Sequence, residues 1–452
     1  MKSLVGIILL SFMSLSIAGI EQAPPPFQVK NGRAIFVDYT NAVYDLTYDK
    51  SKKRAWANVT IHFIAENSGF PIFDSLNEPT EVMLDGVPAT HGYTPVPGEV
   101  SFVRYIAKEV VPGFHTMTIR LPITEMVKYK RKGVSSAFLI KDLSDRMFLE
   151  RYVVANYEYD QVQMTFNVNI IGTNRIHNVF ANGKVTELAK NRIKIVYPKY
   201  FTASSLFFHL VPITKFWRLR FKYRSISGAK IPVTIYSISR WVNRRYSKKT
   251  VRVLRELEND YGPWPHPQVL VYANSLKGGM EYAGATATSY GALDHELQHS
   301  YFAKGIHPAN GNSGWMDEGI ASWRDKGHFT HSKPDYFSWN LANHNIYTRK
   351  TDSNSYVKGR SFFAYIDHKI KELGKPGFQH FLRGYFEKRK FTTVTTNDLK
   401  SDLEEYTGLD LTEDFNQYIF GGGLKNSRSP AVEPLENPYH PSYTDEELES
   451  II

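Results

Sequence analysis

Five residues, His295-Glu296-Leu297-Gln298-His299, constrain this chain more than any other segment. On a helix, positions i and i+4 share a face, so both imidazoles can address one cation. After eighteen intervening residues comes Glu318, within Trp315-Met316-Asp317-Glu318-Gly319. Residues 305–314 of that interval are a dense run of turn formers, Gly-Ile-His-Pro-Ala-Asn-Gly-Asn-Ser-Gly, between two segments of helical character. A helix, a reversal and a second helix bring Glu318 back against the histidine pair. His295, His299 and Glu318 then form a three-ligand set that leaves the fourth position of a tetrahedral zinc open to water, the pattern of a catalytic rather than a structural site. Glu296 lies between the two histidines and can reach such a water without facing the metal. One zinc per chain is expected. Asp325, two helical turns beyond Glu318, can accept the free ring N–H of a ligand histidine and fix its tautomer. A solvated surface carboxylate is the competing reading of Asp325.

Two further segments extend the pattern: Gly278-Gly279-Met280-Glu281-Tyr282 ahead of the histidines, and Tyr356-Val357-Lys358-Gly359 after Glu318. The four motifs, in this order, resemble the gluzincin aminopeptidase family, the aminopeptidase N and leukotriene hydrolase group of zinc metallopeptidases. Members carry Gly-x-Met-Glu-Asn, and this chain has Tyr282 where Asn is usual. The resemblance implies that Glu281 binds the free amino group of a substrate, with Gly279 and Met280 beside it. It implies that Tyr356 hydrogen-bonds the tetrahedral intermediate. Phe148-Leu-Glu-Arg-Tyr152 lies roughly where relatives place a second amine-binding residue, which makes Glu150 a candidate; an ordinary strand-edge glutamate is its other reading.

The fold expected is α+β and multidomain. Residues 27 to about 212 alternate apolar and polar positions with period two, as in Trp56–Ala65 and Arg192–Val196, with turns such as Asp85-Gly86 and Asn182-Gly183 between such runs. That pattern argues an antiparallel sandwich or saddle over residues 19–212. Residues 213–424 would form the zinc-peptidase part, which the resemblance makes thermolysin-like and mainly helical. Buried strands at Pro232–Tyr236 and Gln268–Tyr272 flank a helix over Lys248–Tyr261. The segment before Glu281 is expected as an edge strand along a cleft. A metal-bearing helix is expected near 290–304, and further helices at 361–373, 377–388 and 396–406. Residues 425–452, Pro-rich and then acidic, read as a tail. The resemblance is to a short bacterial member, without the helical domain that closes over the cleft in large relatives.

Residues 1–18, with Lys2, an apolar run from Leu4 to Ile17 and small residues at Ser16 and Ala18, read as a signal peptide. No later run is long and apolar enough to cross a membrane. The protein is therefore expected in the periplasm or outside a bacterium, without an integral membrane segment after processing. Cysteine is absent, so the fold rests on core burial rather than disulfides. Lys and Arg number 55 against 45 Asp and Glu; the excess is densest from Lys215 to Arg245, where no nucleic-acid module accompanies it.

Peptides or proteins are the expected substrates. An aminopeptidase, a secreted zinc endopeptidase and a zinc-binding but inactive interaction protein are the three readings. The first draws on Glu281, the second on the missing closing domain, and Glu296 counts against the third because zinc binding alone does not need it.

Overall fold

The computed structural model describes residues 23–98, 102–124, 126–138, 153–274, 278–309, 314–348 and 351–422. The expected signal peptide and C-terminal tail lie outside them. Among the described residues no helix is long and apolar enough to cross a membrane.

The first half is built from strands in three sheets. The largest has eight strands, with Asp38–Asp49 and Arg54–Ala65 at its centre, flanked by Gly113–Pro122 on one side and Gln163–Ile171 on the other. Alternation sets its faces. In Arg54–Ala65 the even pleats Ala57, Val59, Ile61 and Phe63 are buried while Asn58 is exposed. The antiparallel expectation needs one correction. Asp38–Asp49 pairs in parallel with Gln163–Ile171, and Gly32–Ile35 pairs in parallel with Phe70–Phe73, so these sheets are mixed. Which distant segment a strand pairs with, and in which direction, is a tertiary choice that local alternation cannot encode.

The second half opens with a five-stranded sheet in the order Trp217–Arg224, Lys230–Ser237, Val269–Ala273, Ala285–Thr288, Gly279–Tyr282. Among the described residues seven helices follow the chain around it: α1 (Arg240–Tyr261), α2 (Leu293–Gln298), α3 (Trp315–Asp325), α4 (Arg360–Glu372), α5 (Phe378–Arg389), α6 (Thr396–Thr407) and α7 (Thr412–Tyr418). Helices α4, α5 and α6 agree closely with the three expected from apolar spacing, and α7 was not expected. Helix α1 begins eight residues before the expected start, because its first turns, Arg-Trp-Val-Asn-Arg-Arg-Tyr-Ser, bury only Asn243 and Tyr246 and so carry no apolar stripe.

This sheet has a different core on each face. Val233, Ile235, Val269, Val271 and Ala273 pack among the helices. Their neighbours Tyr236, Leu270, Tyr272, Met280 and Tyr282 pack into the core of the strand-rich half. Burying a Val, Ile, Leu or Met side chain among these is worth about 1.5–3 kcal/mol, so both halves hold the sheet in place.

Candidate metal centre

Helix α2 is only six residues long, shorter than the 290–304 expected, yet it is long enough. His299 caps it in helical conformation (φ −58°, ψ −14°), so His295 and His299 keep the i, i+4 relation. The chain then turns sharply through Ala303, whose φ is 121°. Helix α3 is anchored by buried Trp315, Ile320 and Trp323, with Trp315 stacked on Phe363 at 5.1 Å between ring centroids. That anchoring presents Glu318 to the histidines.

The three side chains converge. Glu318 Oε2 lies 3.1 Å from His295 Nε2 and 3.4 Å from His299 Nε2, and one ligand atom from each residue falls within 4.8 Å of the others. All three are buried. Both histidines have their second nitrogen occupied, as ligand imidazoles require. His295 Nδ1 meets Asp325 Oδ2 at 2.7 Å, and His299 Nδ1 meets the Phe302 carbonyl at 3.2 Å. Burial opposes charging either ring. Asp325 and Glu318 nevertheless hold His295 well above its usual value, and Glu318 and Glu281 lift His299 to about 9. A carboxylate field that favours a proton there favours a dication more. The donor set, two Nε2 atoms and one carboxylate oxygen, with His299 Nε2 buried and making no hydrogen bond among the described residues, suits zinc.

The remaining groups come from two close backbone approaches. In the edge strand Gly279–Tyr282, alternation sends Met280 and Tyr282 into the strand-rich core and leaves Gly279 and Glu281 on the face toward α2. Glu296 lies so close over Gly279 that a Cβ there would sit 2.5 Å from Glu296 Cγ. Similarly, α3 and a π-helical turn at Ser355–Gly359 touch at Gly319 and Gly359, where a Cβ on Gly359 would lie 2.9 Å from Gly319 Cα. That contact lets Tyr356 donate to Glu318 Oε1 at 2.7 Å.

The sequence matches no protein-family model and no curated protein. Its likeness to solved structures is extensive. An M1 zinc metallopeptidase from Deinococcus radiodurans, solved with a Tyr-Ser-Ala substrate, superposes with a TM-score of 0.61 at 16% identity, over 88% of this chain and 97% of that one. A two-domain M1 zinc metallopeptidase bound to L-tryptophan gives 0.60 at 14%, covering 88% and 96%. Yeast LTA4 hydrolase in complex with bestatin gives 0.63 at 15%, covering 88% of this chain and 69% of its own. This is the fold of the M1 zinc metallopeptidases.

Within this M1 fold the residues expected from sequence fall as follows. His295, His299, Glu318, Asp325, Glu296, Gly279, Glu281 and Tyr356 gather on α2, α3, the edge strand and the π-helical turn. The Met280 side chain points the other way, into the strand-rich core. Glu150 lies outside the described residues. Two neighbours were not anticipated. Lys304 is fully buried, with Nζ 3.5 Å from Glu281 Oε1 and 3.4 Å from Ser204 Oγ. Asp317 is also buried; burial first, then the adjoining Glu318, pushes it up to about 8. The signal for both was weak: a lysine five residues beyond the ligand pair, and an acid next to a ligand.

Proposed function

We propose that this chain is a zinc-dependent peptidase of the gluzincin aminopeptidase family, and within that class an aminopeptidase. The observation that carries the reading is the buried convergence of His295, His299 and Glu318 with Glu296 held beside them by Gly279. Binding a metal needs the first three; only a reaction needs the fourth. Zinc held by this triad supplies Lewis acidity, which lowers the pKa of water and polarises a carbonyl. Glu296 is the base that takes a proton from the attacking water and returns it to the departing amine nitrogen. Tyr356 Oη donates to the carbonyl oxygen as its negative charge grows. Asp325 and the Phe302 carbonyl keep the two imidazoles in the tautomer that leaves Nε2 free for the cation.

Glu281 supports the narrower reading. Its buried carboxylate, on the strand beside α2, would hold a substrate ammonium so that the first peptide bond lies over the metal. An endopeptidase is the second reading, and Lys304 favours it, since that ammonium already stands beside Glu281 and lessens its demand for another. We take residues 213–424 as the peptidase domain behind a β-rich domain, and residues 1–18 as the signal for export.

The test is zinc content together with turnover of a free-amine peptide and its N-acetylated twin. Glu296→Gln should keep about one zinc per chain and lose nearly all turnover, while His295→Ala or His299→Ala should lose the zinc. Near-normal turnover in Glu296→Gln would overturn the peptidase mechanism. Equal cleavage of both peptides, affected alike by Glu281→Ala, would replace aminopeptidase with endopeptidase.

A further inference from the structure

At the far edge of the five-stranded sheet, Trp217–Arg224 reads Trp-Arg-Leu-Arg-Phe-Lys-Tyr-Arg. Successive strand residues face opposite ways. Phe221 and Tyr223 pack toward the helices, while Arg218, Arg220 and Lys222 line an open groove of about 850 Å³. Phe180, Ile213 and Leu270 are among its apolar lining, and Lys184 adds a fourth cation. Neighbouring cations on one face of a strand stand about 6.8 Å apart.

Three sheets end at this groove. Trp217–Arg224 is the outer strand of the five-stranded sheet, His177–Ala181 of the four-stranded sheet, and Lys184–Ala189 of the eight-stranded sheet. Among the described residues each pairs with a sheet neighbour on one side only, and residues of all three line the groove. Arg218 Nη1 reaches Asn178 Oδ1 at 3.4 Å across two of them. Open sheet edges are templates for strand addition.

The charge is as one-sided as the edges. Between Glu187 and Glu256 the sequence has 17 Lys and Arg and no Asp or Glu; removing those 17 from 55 leaves 38 basic against 45 acidic residues elsewhere. Glu187 is the one acid among the described residues that line the groove. Burial, and then repulsion by Arg218, hold the Arg220 guanidinium below its usual value, as expected of a cation with another cation beside it.

We propose that this groove docks an extended acidic polypeptide segment, added as a strand with alternate carboxylates on Arg218, Arg220 and Lys222. The two-residue repeat of an extended chain matches the cation spacing. A concave site with sheet edges inside it suits a strand better than a flat bilayer. The metal edge, Gly279–Tyr282, is the opposite edge of the same sheet, about 19 Å away at the usual strand separation. A protein held here by an acidic stretch would present the rest of its chain to the metal centre at high effective concentration. Docking does not depend on turnover; delivery to the metal rests on the peptidase reading.

The probe is a fluorescent, N-acetylated decapeptide of alternating Glu and Val, titrated by anisotropy against full-length Glu296→Gln protein so that it is not cut. Saturable binding is expected. Arg218→Glu/Arg220→Glu/Lys222→Glu, and the milder Arg218→Gln/Lys222→Gln should the first fail to fold, should weaken it at least tenfold with zinc content unchanged. Methylating every second backbone amide of the probe, which keeps its charge and removes strand pairing, should weaken it equally. Absence of binding, indifference to charge reversal, or equal affinity for the methylated probe would each overturn the proposal. Capture of phosphatidylglycerol vesicles through exposed Ile238 and Trp241, without competition from the peptide, would assign the face to a membrane instead and also overturn it.

Discussion

Replacing Gly279 with alanine tests the placement of the proposed base without touching it. The added Cβ would lie 2.5 Å from Glu296 Cγ and 2.7 Å from its Cδ, with Thr288 Oγ1 at 2.6 Å on the paired strand. Ordinary contact begins near 3.4 Å, so something must yield by about 1 Å. Gly279 is not in the left-handed region, so alanine adds no backbone strain and the effect is steric alone. Overpacking of this kind costs about 1–3 kcal/mol of stability. A 1 Å displacement of a reacting group costs about a hundredfold in rate, or about 2.7 kcal/mol of barrier at 1.36 kcal/mol per decade. We expect kcat to fall about a hundredfold, with KM and zinc content nearly unchanged. Gly291→Ala is the control, since its nearest neighbour is 4.0 Å away. Steady-state kinetics beside metal analysis and a melting curve decide the matter. A folded, zinc-replete Gly279→Ala protein with kcat within about threefold of wild type would refute the argument.

Tyr356→Phe should lower kcat by about a hundredfold or more, the scale of one lost oxyanion donor, with little change in KM. If zinc affinity falls instead, its bond to Glu318 is the role that matters. Asp325→Asn should weaken zinc about 10- to 100-fold, measured by chelator competition; unchanged affinity would make the 2.7 Å bond to His295 incidental. Glu258→Ala removes an acceptor shared by Tyr223 Oη, Ser225 Oγ and the amides of Ile226 and Trp264. Leaving several buried donors unsatisfied should cost upwards of about 3 kcal/mol, read from the urea midpoint, and a loss below about 1 kcal/mol would show that water replaces it.

The ligand set was legible because it depends on one turn of helix and one reversal, both local. Helices α4, α5 and α6 were legible for the same reason. The length of α2 was not: its early end depends on the positive φ of Ala303, a conformation alanine does not advertise. Lys304 was hidden by its residue type, because lysines are rarely buried without a partner and its partner comes from a distant strand. Trp217–Arg224 is a plain alternation, yet its four cations were only part of the dense basic stretch from Lys215 to Arg245 until the sheet gave them an edge. The role of Gly279 lay within a motif that was noticed for its glutamate, and the packing of Glu296 and Thr288 explains why a side chain at position 279 is crowded.

Alternate residues of the metal-edge strand answer to different cores, and this bears on how such a protein can change. Met280 and Tyr282 are fixed by the strand-rich half, while Glu281 between them stands on the other face, beside Lys304. A substitution deep in that other half, touching no ligand and no substrate, can therefore rotate or shift Glu281 through the backbone they share. In the proposed aminopeptidase, selectivity is then adjustable from a distance. By the same logic, the helical half cut out alone would open Tyr236, Leu270, Tyr272, Met280 and Tyr282 to water on the back of the sheet that carries Glu281.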